Sequence, residues 1–266
     1  MSAPDVDPVE AWVEALFTEA LADLRWPELR KGVQALSALY VHGRDKGDLA
    51  PRAAEGRGKA AALRCFFAPL HLLVARALVA SLPGPGPGEA LPRQLLDLGC
   101  GSGAAGAGVG LQLAARGAPP EIDGVDRVAE HLPHARRTYG ALGLRAKVRS
   151  GSLPGAVGQP GPGQLLVLGW SLNELDPAGR TATVAALRRA LGRGAGLLLI
   201  EPLSTKISPW WPELAEALAE DGVSEHLFKE RIPLPEKLRD MDKSAGLDHQ
   251  LLGCRALHRW PRAPAA

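Results

Sequence analysis

The chain has 266 residues, 46% of them hydrophobic, which allows one sizeable core with an appendage or two small domains. With 31 basic and 29 acidic residues the formal net charge is +2, so charge argues for neither nucleic acid nor a membrane surface, although a local basic patch would not show in that total. The three cysteines, Cys65, Cys100 and Cys254, are dispersed and form no Cys-x-x-Cys pair, which is unlike a disulfide framework or a metal site and suggests a reducing, cytoplasmic setting.

Residues Val9–Arg25 have helical apolar spacing behind Pro8, a proline tolerated in a first turn. Trp26-Pro27 interrupts the pattern, and a second helix is expected to run to Tyr40. The charged, Gly-rich stretch His42–Gly58 reads as a loop. Ala60–Leu82 is strongly apolar and predicts one buried helix, or two joined near Pro69. Ser81–Pro92, SLPGPGPGEALP, is a Pro/Gly linker that separates this helical part from the rest. Strand and helix patterns then alternate. Strands are expected at Gln94–Leu98, Glu121–Val125, Ala146–Arg149, Gln164–Gly169 and Ala195–Glu201, with helices at Ala104–Arg116, Ala129–Leu142 and Gly179–Leu191. A helix at Pro209–Asp221 precedes two last strands, Ser224–Leu234 and Leu247–Trp260, with the charged helix Pro235–Ala245 between them. Fully apolar strands between helices imply a parallel sheet covered on both faces. No run reads as long and apolar enough to cross a bilayer, and the acidic opening is unlike a signal or transit peptide.

The strongest local signal is Gln94–Gly106, QLLDLGCGSGAAG. An apolar strand runs into Gly99, Gly101 and Gly103, and a helix opens behind them. Glycine permits a positive φ and lets a ligand approach the backbone, and the amides that open the helix face the turn. This describes a nucleotide-type cofactor site. Gly101-x-Gly103-x-x-Gly106 satisfies the dinucleotide fingerprint, a weak signal alone. Asp97-x-Gly99-x-Gly101-x-Gly103 accounts for the acid and every turn glycine. A nicotinamide oxidoreductase would also want a proton donor, and neither Tyr40 nor Tyr139 has a lysine four residues on. A structural turn with no ligand is the remaining reading.

Asp-Leu-Gly-Cys-Gly-Ser-Gly resembles the first motif of the class I S-adenosylmethionine-dependent methyltransferases. The order of elements from Gln94 to Trp260 is similar to that family's seven-stranded sheet, whose last strand is antiparallel. The resemblance implies an α/β fold with a seven-stranded, mostly parallel sheet and helices on both faces. Residues 1–92 would form an N-terminal helical extension, lid and linker, and residues 93–266 the methyltransferase domain. It implies S-adenosyl-L-methionine as cofactor, bordered by Asp97, Gly99, Cys100, Gly101 and Gly103. Asp126, followed by Arg127, closes the second strand about 20 residues on, where an acid accepts from the ribose hydroxyls; capping the next helix is its competing role. Ser152, beside Leu153, stands where the family often has an acid near the adenine amine, and its hydroxyl can still accept.

The stretch Leu168–Leu175 lies at the carboxyl end of the fourth predicted strand, where open α/β sheets bind ligands. Trp170 there suits either a pocket wall or the core. Ser171, Asn173 and Glu174 are candidates for contact with the substrate, and Asn173 and Glu174 serve as well for capping. Trp210-Trp211, shortly after Glu201-Pro202, suits a substrate lid or burial. The Asn/Asp-Pro-Pro-aromatic motif of amino-directed nucleic-acid methyltransferases is absent. His131 and His134 share a helix but form no metal set with any other histidine or cysteine, and no hydrolase elbow or zincin motif is present.

A looser resemblance is to the methyltransferase-like proteins of the mitochondrial small ribosomal subunit and their bacterial relatives. It rests on Arg64-Cys65-Phe66-Phe67-Ala68-Pro69, Ser171-Leu172-Asn173-Glu174-Leu175 and Ile200-Glu201-Pro202, without that family's iron–sulfur cysteines. The expected function is methyl transfer to an unidentified acceptor, small or macromolecular, without metal or membrane. The alternatives are a degenerate binding module acting on ribosomal RNA, and an NAD-dependent oxidoreductase.

Overall fold

A computed structural model describes residues 7–42 and 56–264. By compactness the chain divides into two units, residues 1–70 with 231–252, and residues 71–230 with 253–266. This division does not follow the 81–92 linker. The apolar helix before the linker is divided, its residues from His71 onward going with the sheet, and residues 231–252 go with the N-terminal helices.

The helical unit holds α1 (Pro8–Asp23), α2 (Trp26–His42), α3 (Arg57–Ala62) and α9 (Glu236–Ser244). Asp7 caps α1 by accepting from the Val9 amide at 2.9 Å, with Pro8 in the first turn as the sequence predicts. Trp12, Val13 and Phe17 form its buried stripe. The Glu10 carboxylate accepts from the Glu236 amide at 2.9 Å and the Gln34 amide donates to Ala245 O at 3.0 Å, so residues distant in sequence close this unit. Of the loop expected at His42–Gly58, residues 43–55 lie outside the described residues, and Arg57 already begins α3.

The apolar segment is one continuous helix, Arg57–Ser81, and not two joined near Pro69. It runs from α3 through a π-helical turn, Leu63–Phe67, into α4 (Ala68–Ser81). Pro69 has no amide to donate and crowds the carbonyl four residues before it. The widened turn, in which the Ala68 amide reaches back to Leu63 O, supplies the local change of pitch. This helix also corrects the sequence expectation about bilayer-length runs. It has 25 residues and a mean hydropathy of 1.6 over its most apolar window, and is therefore long and apolar enough to cross a membrane. That window is 67% buried within the protein, and a helix covered on several sides in a core carries the same hydropathy.

The sheet unit carries β1 (Gln94–Leu98), β2 (Glu121–Asp126), β3 (Ala146–Ser150), β4 (Gln164–Gly169), β5 (Gly196–Glu201), β6 (Ser224–Glu230) and β7 (Leu252–Arg259) in the order β3-β2-β1-β4-β5-β7-β6. β1 pairs in parallel with β2 and β4, and β4 with β5; β7 runs antiparallel to β5, with Leu199 opposite Leu257. This is the seven-stranded, mostly parallel sheet that the sequence pattern implies. The strand order reverses direction between β1 and β4, and ligand crevices in open α/β sheets lie at such a point.

Period-two alternation sends the strand side chains to two layers. One layer buries Leu166, Leu168, Leu197 and Leu199 against α7 (Pro177–Gly192) and α8 (Trp211–Ala219). The other faces α5 (Ala104–Ala115) and α6 (Leu132–Ala141). The β3–β4 connection carries a single 3-10 turn, Gly155–Val157, in place of a helix. A groove of about 790 Å³ remains over the amino-terminal halves of β1–β3, rimmed by Asp123, Lys147 and Arg149.

α4 and α5 meet through backbone. A Cβ on Gly108 would lie 2.4 Å from Leu72 O. Gly108→Ala should therefore destabilise the protein by about 1–3 kcal/mol, although alanine is the better helix former. Gly140, in α6, has nothing within 4 Å of a built Cβ, and Gly140→Ala should stabilise by about 0.5–1 kcal/mol. Urea unfolding of both variants checks the pair, and a neutral or stabilising Gly108→Ala would overturn the close packing.

Candidate functional site

The turn after β1 is made by its glycines. Gly99, Gly101 and Gly103 have φ of 70°, 53° and 82°, a region closed to most side chains. The Gly99 and Cys100 amides donate to Val125 O at 2.8 and 3.0 Å, which ties the turn to the end of β2. A Cβ on Gly99 would strike Ser171 Cβ at 2.7 Å, whereas one on Gly101 would meet nothing within 4 Å. Gly99 is thus held against the loop that follows β4, while open space lies beyond Gly101.

Asp126 closes β2 and faces this turn. Its Oδ2 accepts from the Gly101 amide at 2.7 Å and its Oδ1 from the Val128 amide at 2.8 Å; His131 Nδ1 stands 3.5 Å from Oδ1. Burial pushes the carboxyl upward in pKa, but the nearby His131 ring and the hydrogen bonds from Val128 and Gly101 outweigh it and hold the group below the ordinary aspartate value. Asp126 thus holds the Val128 backbone ahead of the next helix, without being that helix's cap, and contacts the glycine turn. Each ionised oxygen still has a lone pair to offer. Arg127 is exposed. The Gly151 amide donates to Asp126 O at 3.0 Å and so draws exposed Ser152 and half-buried Leu153 to this end of the sheet.

Asp97 lies beneath the turn, fully buried. Its Oδ2 accepts from the Tyr139 hydroxyl at 2.6 Å and the Gly106 amide at 3.1 Å, while Oδ1 has no partner. Desolvation raises its pKa to about 6, against the opposing pull of those two hydrogen bonds. A Cβ on Gly106 would sit 2.2 Å from Oδ2, so this glycine is required by the buried carboxylate and not by a dinucleotide. Tyr139 was considered in sequence only for its missing lysine partner. It has no local signal for this role, because α6 brings it back to β1 only in the folded chain. Cys100 is buried nearby, and desolvation and the carboxylates of Asp97 and Asp126 push its thiol far above the ordinary range.

The loop after β4 supplies the other wall. Trp170 is the one non-glycine with positive φ among the described residues, at 55°. Such a conformation in a bulky residue persists only where its surroundings hold it. Here the Trp170 amide donates to Ile200 O at 2.8 Å, and its indole stacks on the His71 imidazole at 4.0 Å and 10°. Burial lowers His71 to about 4, so the stacked ring is neutral. Ser171 Oγ donates to Leu98 O at 3.1 Å. Leu172–Glu174 form a 3-10 turn, from which the Asn173 amide and Nδ2 donate to Glu201 Oε1 and Oε2 at 3.1 and 2.5 Å. Glu174 is half-buried on that turn. Glu201, fully buried at the end of β5, has no role in the sequence reading. It figures there only within the Ile200-Glu201-Pro202 element of the looser resemblance and as an acid closing the wholly apolar run LLLI. Trp210 is half-buried, with the Arg180 guanidinium 4.6 Å from its ring centroid; Trp211 is buried and donates from Nε1 to Glu225 Oε1 at 2.6 Å.

The structure therefore brings together the glycine turn, Asp126, Trp170 and Ser171 at the carboxyl ends of the strands. The groove over β1–β3 is lined by none of these residues. Among the described residues no group of three or more His, Cys, Asp or Glu is placed to hold a metal.

No family model matches the chain, and no curated protein matches it. Among solved structures it is similar to the CurJ carbon methyltransferase, at 13% identity and a TM-score of 0.51 over 93% of this chain and 70% of that one. It is also similar to NcsB1, an O-methyltransferase of neocarzinostatin biosynthesis solved with S-adenosyl-L-homocysteine and 1,4-dihydroxy-2-naphthoic acid (18%, TM-score 0.47, 88% and 68%). A third is a TehB-like SAM-dependent methyltransferase from Corynebacterium glutamicum (17%, TM-score 0.42, 70% and 88%). Identities this low speak to fold. With the strand order above, the CurJ likeness establishes the methyltransferase α/β fold.

Asp97 titrates in an accessible range. Its folded pKa of about 6 exceeds the ordinary 3.8, so its contribution to stability is fully present below about pH 4 and is lost as pH rises through 6. Relative to Asp97→Asn, the natural protein should lose about 3 kcal/mol of stability between pH 4 and 7. Parallel pH profiles in urea unfolding would show that burial does not raise this carboxyl.

Proposed function

We propose that the chain binds S-adenosylmethionine in the crevice at the carboxyl ends of β1, β2 and β4 and transfers its methyl group to an acceptor. The observation that carries this reading is the meeting of the glycine turn with Asp126, the Gly101 amide lying 2.7 Å from Oδ2 at the point where the strand order reverses. The residues suit an adenosyl amino acid. Open space beyond Gly101 admits it, the ionised Asp126 has lone pairs left for a ribose diol, and the unpartnered Oδ1 of Asp97 lies under the same turn.

When bound, the cofactor supplies an activated methyl group on a sulfonium. The chain's own residues bind and orient. Asp126 would hold the sugar, Gly101 and Gly103 would let the backbone approach, and Ser152 and Leu153 would border the base. Trp170 and Ser171 would wall the side from which an acceptor enters. Positioning alone accounts for ~7–11 kcal/mol of barrier in well-oriented reactions, so no triad of reacting side chains is required. Trp210, Asn173 and Glu174 are the residues we assign to the acceptor side.

Calorimetric titration with S-adenosylmethionine, S-adenosylhomocysteine and NAD tests this. Micromolar affinity for the first two and none for NAD is expected. Silence towards both sulfur ligands would overturn the reading, and ribosomal RNA binding in its place would mark a methyltransferase-like binding module. Asp126→Ala should weaken S-adenosylhomocysteine by about 1–3 kcal/mol, the usual effect of leaving polar groups unpaired. An unchanged affinity would remove Asp126 from the site.

A further inference from the structure

Glu201 is a buried carboxylate for which the proposed reaction has no direct use. Both of its oxygens accept hydrogen bonds from Asn173, Oε1 from the backbone amide and Oε2 from the side chain. Two residues before Asn173, Ser171 donates to Leu98 O and fills the space against which Gly99 has no Cβ. One residue further back is Trp170, held at φ 55° and stacked on His71. A continuous chain of contacts thus runs from the end of β5, through a single 3-10 turn, to the glycine turn after β1.

We infer that Glu201 is a positioning residue: with Asn173 it latches the Trp170–Leu175 loop, and the latch sets both the left-handed Trp170 and the Ser171 wall of the cofactor crevice. The inference rests on the cofactor reading above for its ligand, but not for its geometry. A 3-10 turn of three residues is too short to hold itself, because its end groups lack intrahelical partners. A bulky residue at positive φ relaxes unless the neighbouring backbone is fixed. The paired bonds to Glu201 fix that backbone from the side opposite Ser171. Asn173 Oδ1, buried and without a hydrogen-bond partner, marks the side-chain amide as oriented by this pair alone.

The polarity of the bond allows a reversible test. Asn173→Asp places a carboxylate against Glu201 and should open the latch. Adding Glu201→Gln restores a donor–acceptor pair in the opposite sense, while Oε1 of the new side chain still accepts from the residue 173 amide. Glu201→Gln alone should be mild, because the Asn173 amide can turn its unused Oδ1 towards the new donor. Two readouts separate the claims. In near-ultraviolet circular dichroism, the Trp170 contribution, defined by difference from Trp170→Phe, should be lost in Asn173→Asp and return in the double variant. Calorimetry with S-adenosylhomocysteine should show affinity falling by about ten-fold or more in Asn173→Asp and returning to within about three-fold in the double variant. A merely structural pair would lower the melting temperature and leave the affinity and the Trp170 signal of the folded protein unchanged, which would overturn the inference. Failure of the double variant to recover the Trp170 signal would do the same. If the natural protein does not bind the ligand, the cofactor reading fails by itself, and the Trp170 signal still decides whether the latch exists.

Discussion

The site depends on a carboxylate buried beneath it. Asp97, next to last in β1, has no exposure to solvent, and its Oδ2 joins the helix that follows through Gly106 to the next helix through Tyr139. Removing a charge-bearing group from water is unfavourable unless hydrogen bonds compensate; here two oppose the desolvation only in part, and the pKa stays raised. Much of the local composition follows. Residue 106 must be glycine because any Cβ would collide with the carboxylate. A Cβ on Gly103 would lie 3.0 Å from the Tyr139 ring and 3.2 Å from the Ala135 backbone. A turn seated on this support keeps its amides directed at the end of β2.

Asp126 and the turn form the second layer. They share a hydrogen bond between strands that are neighbours in register, with Leu98 opposite Val125. Parallel pairing places both carboxyl ends at one edge, and the reversal of strand order beside β1 leaves a crevice there. The loop after β4 closes it from the far side through Ser171 and Trp170. An acid, a glycine turn and an aromatic wall thereby converge from three strands, an arrangement suited to binding and orientation more than to acid–base chemistry.

The sheet is also uneven in its covering. β5 is buried throughout and β4 along Leu165–Leu168, as their unbroken runs of Leu, Val and Ile require. β3 is mostly exposed, carries Lys147 and Arg149, and connects onward without a helix. Charge on an edge strand suppresses pairing with other chains. The open groove over β1–β3 is the consequence of that short connection, and it lies at the end of the strands remote from the glycine turn.

Local pattern was sufficient for much of this. Apolar runs bounded by glycine and proline set β1 and β4 to the residue, and strand–helix alternation implied the parallel sheet, because those signals act over a few neighbouring residues. The spacing of Asp97, Gly99, Gly101 and Gly103, with Asp126 beyond, picked out residues that meet at the carboxyl ends of β1 and β2. What local pattern could not decide were partnerships across the chain. Arg57–Ser81 stays one helix through Pro69 because a π turn accommodates the proline, and its most apolar window is two-thirds buried. Residues 231–252 join the N-terminal helices through contacts such as Glu10 with Glu236. The neighbourhoods of Tyr139 and Glu201 do not name their partners. Each acquires its place only when a helix or strand brings it against Asp97 or Asn173, since a buried polar group is defined by the partner that folding brings to it.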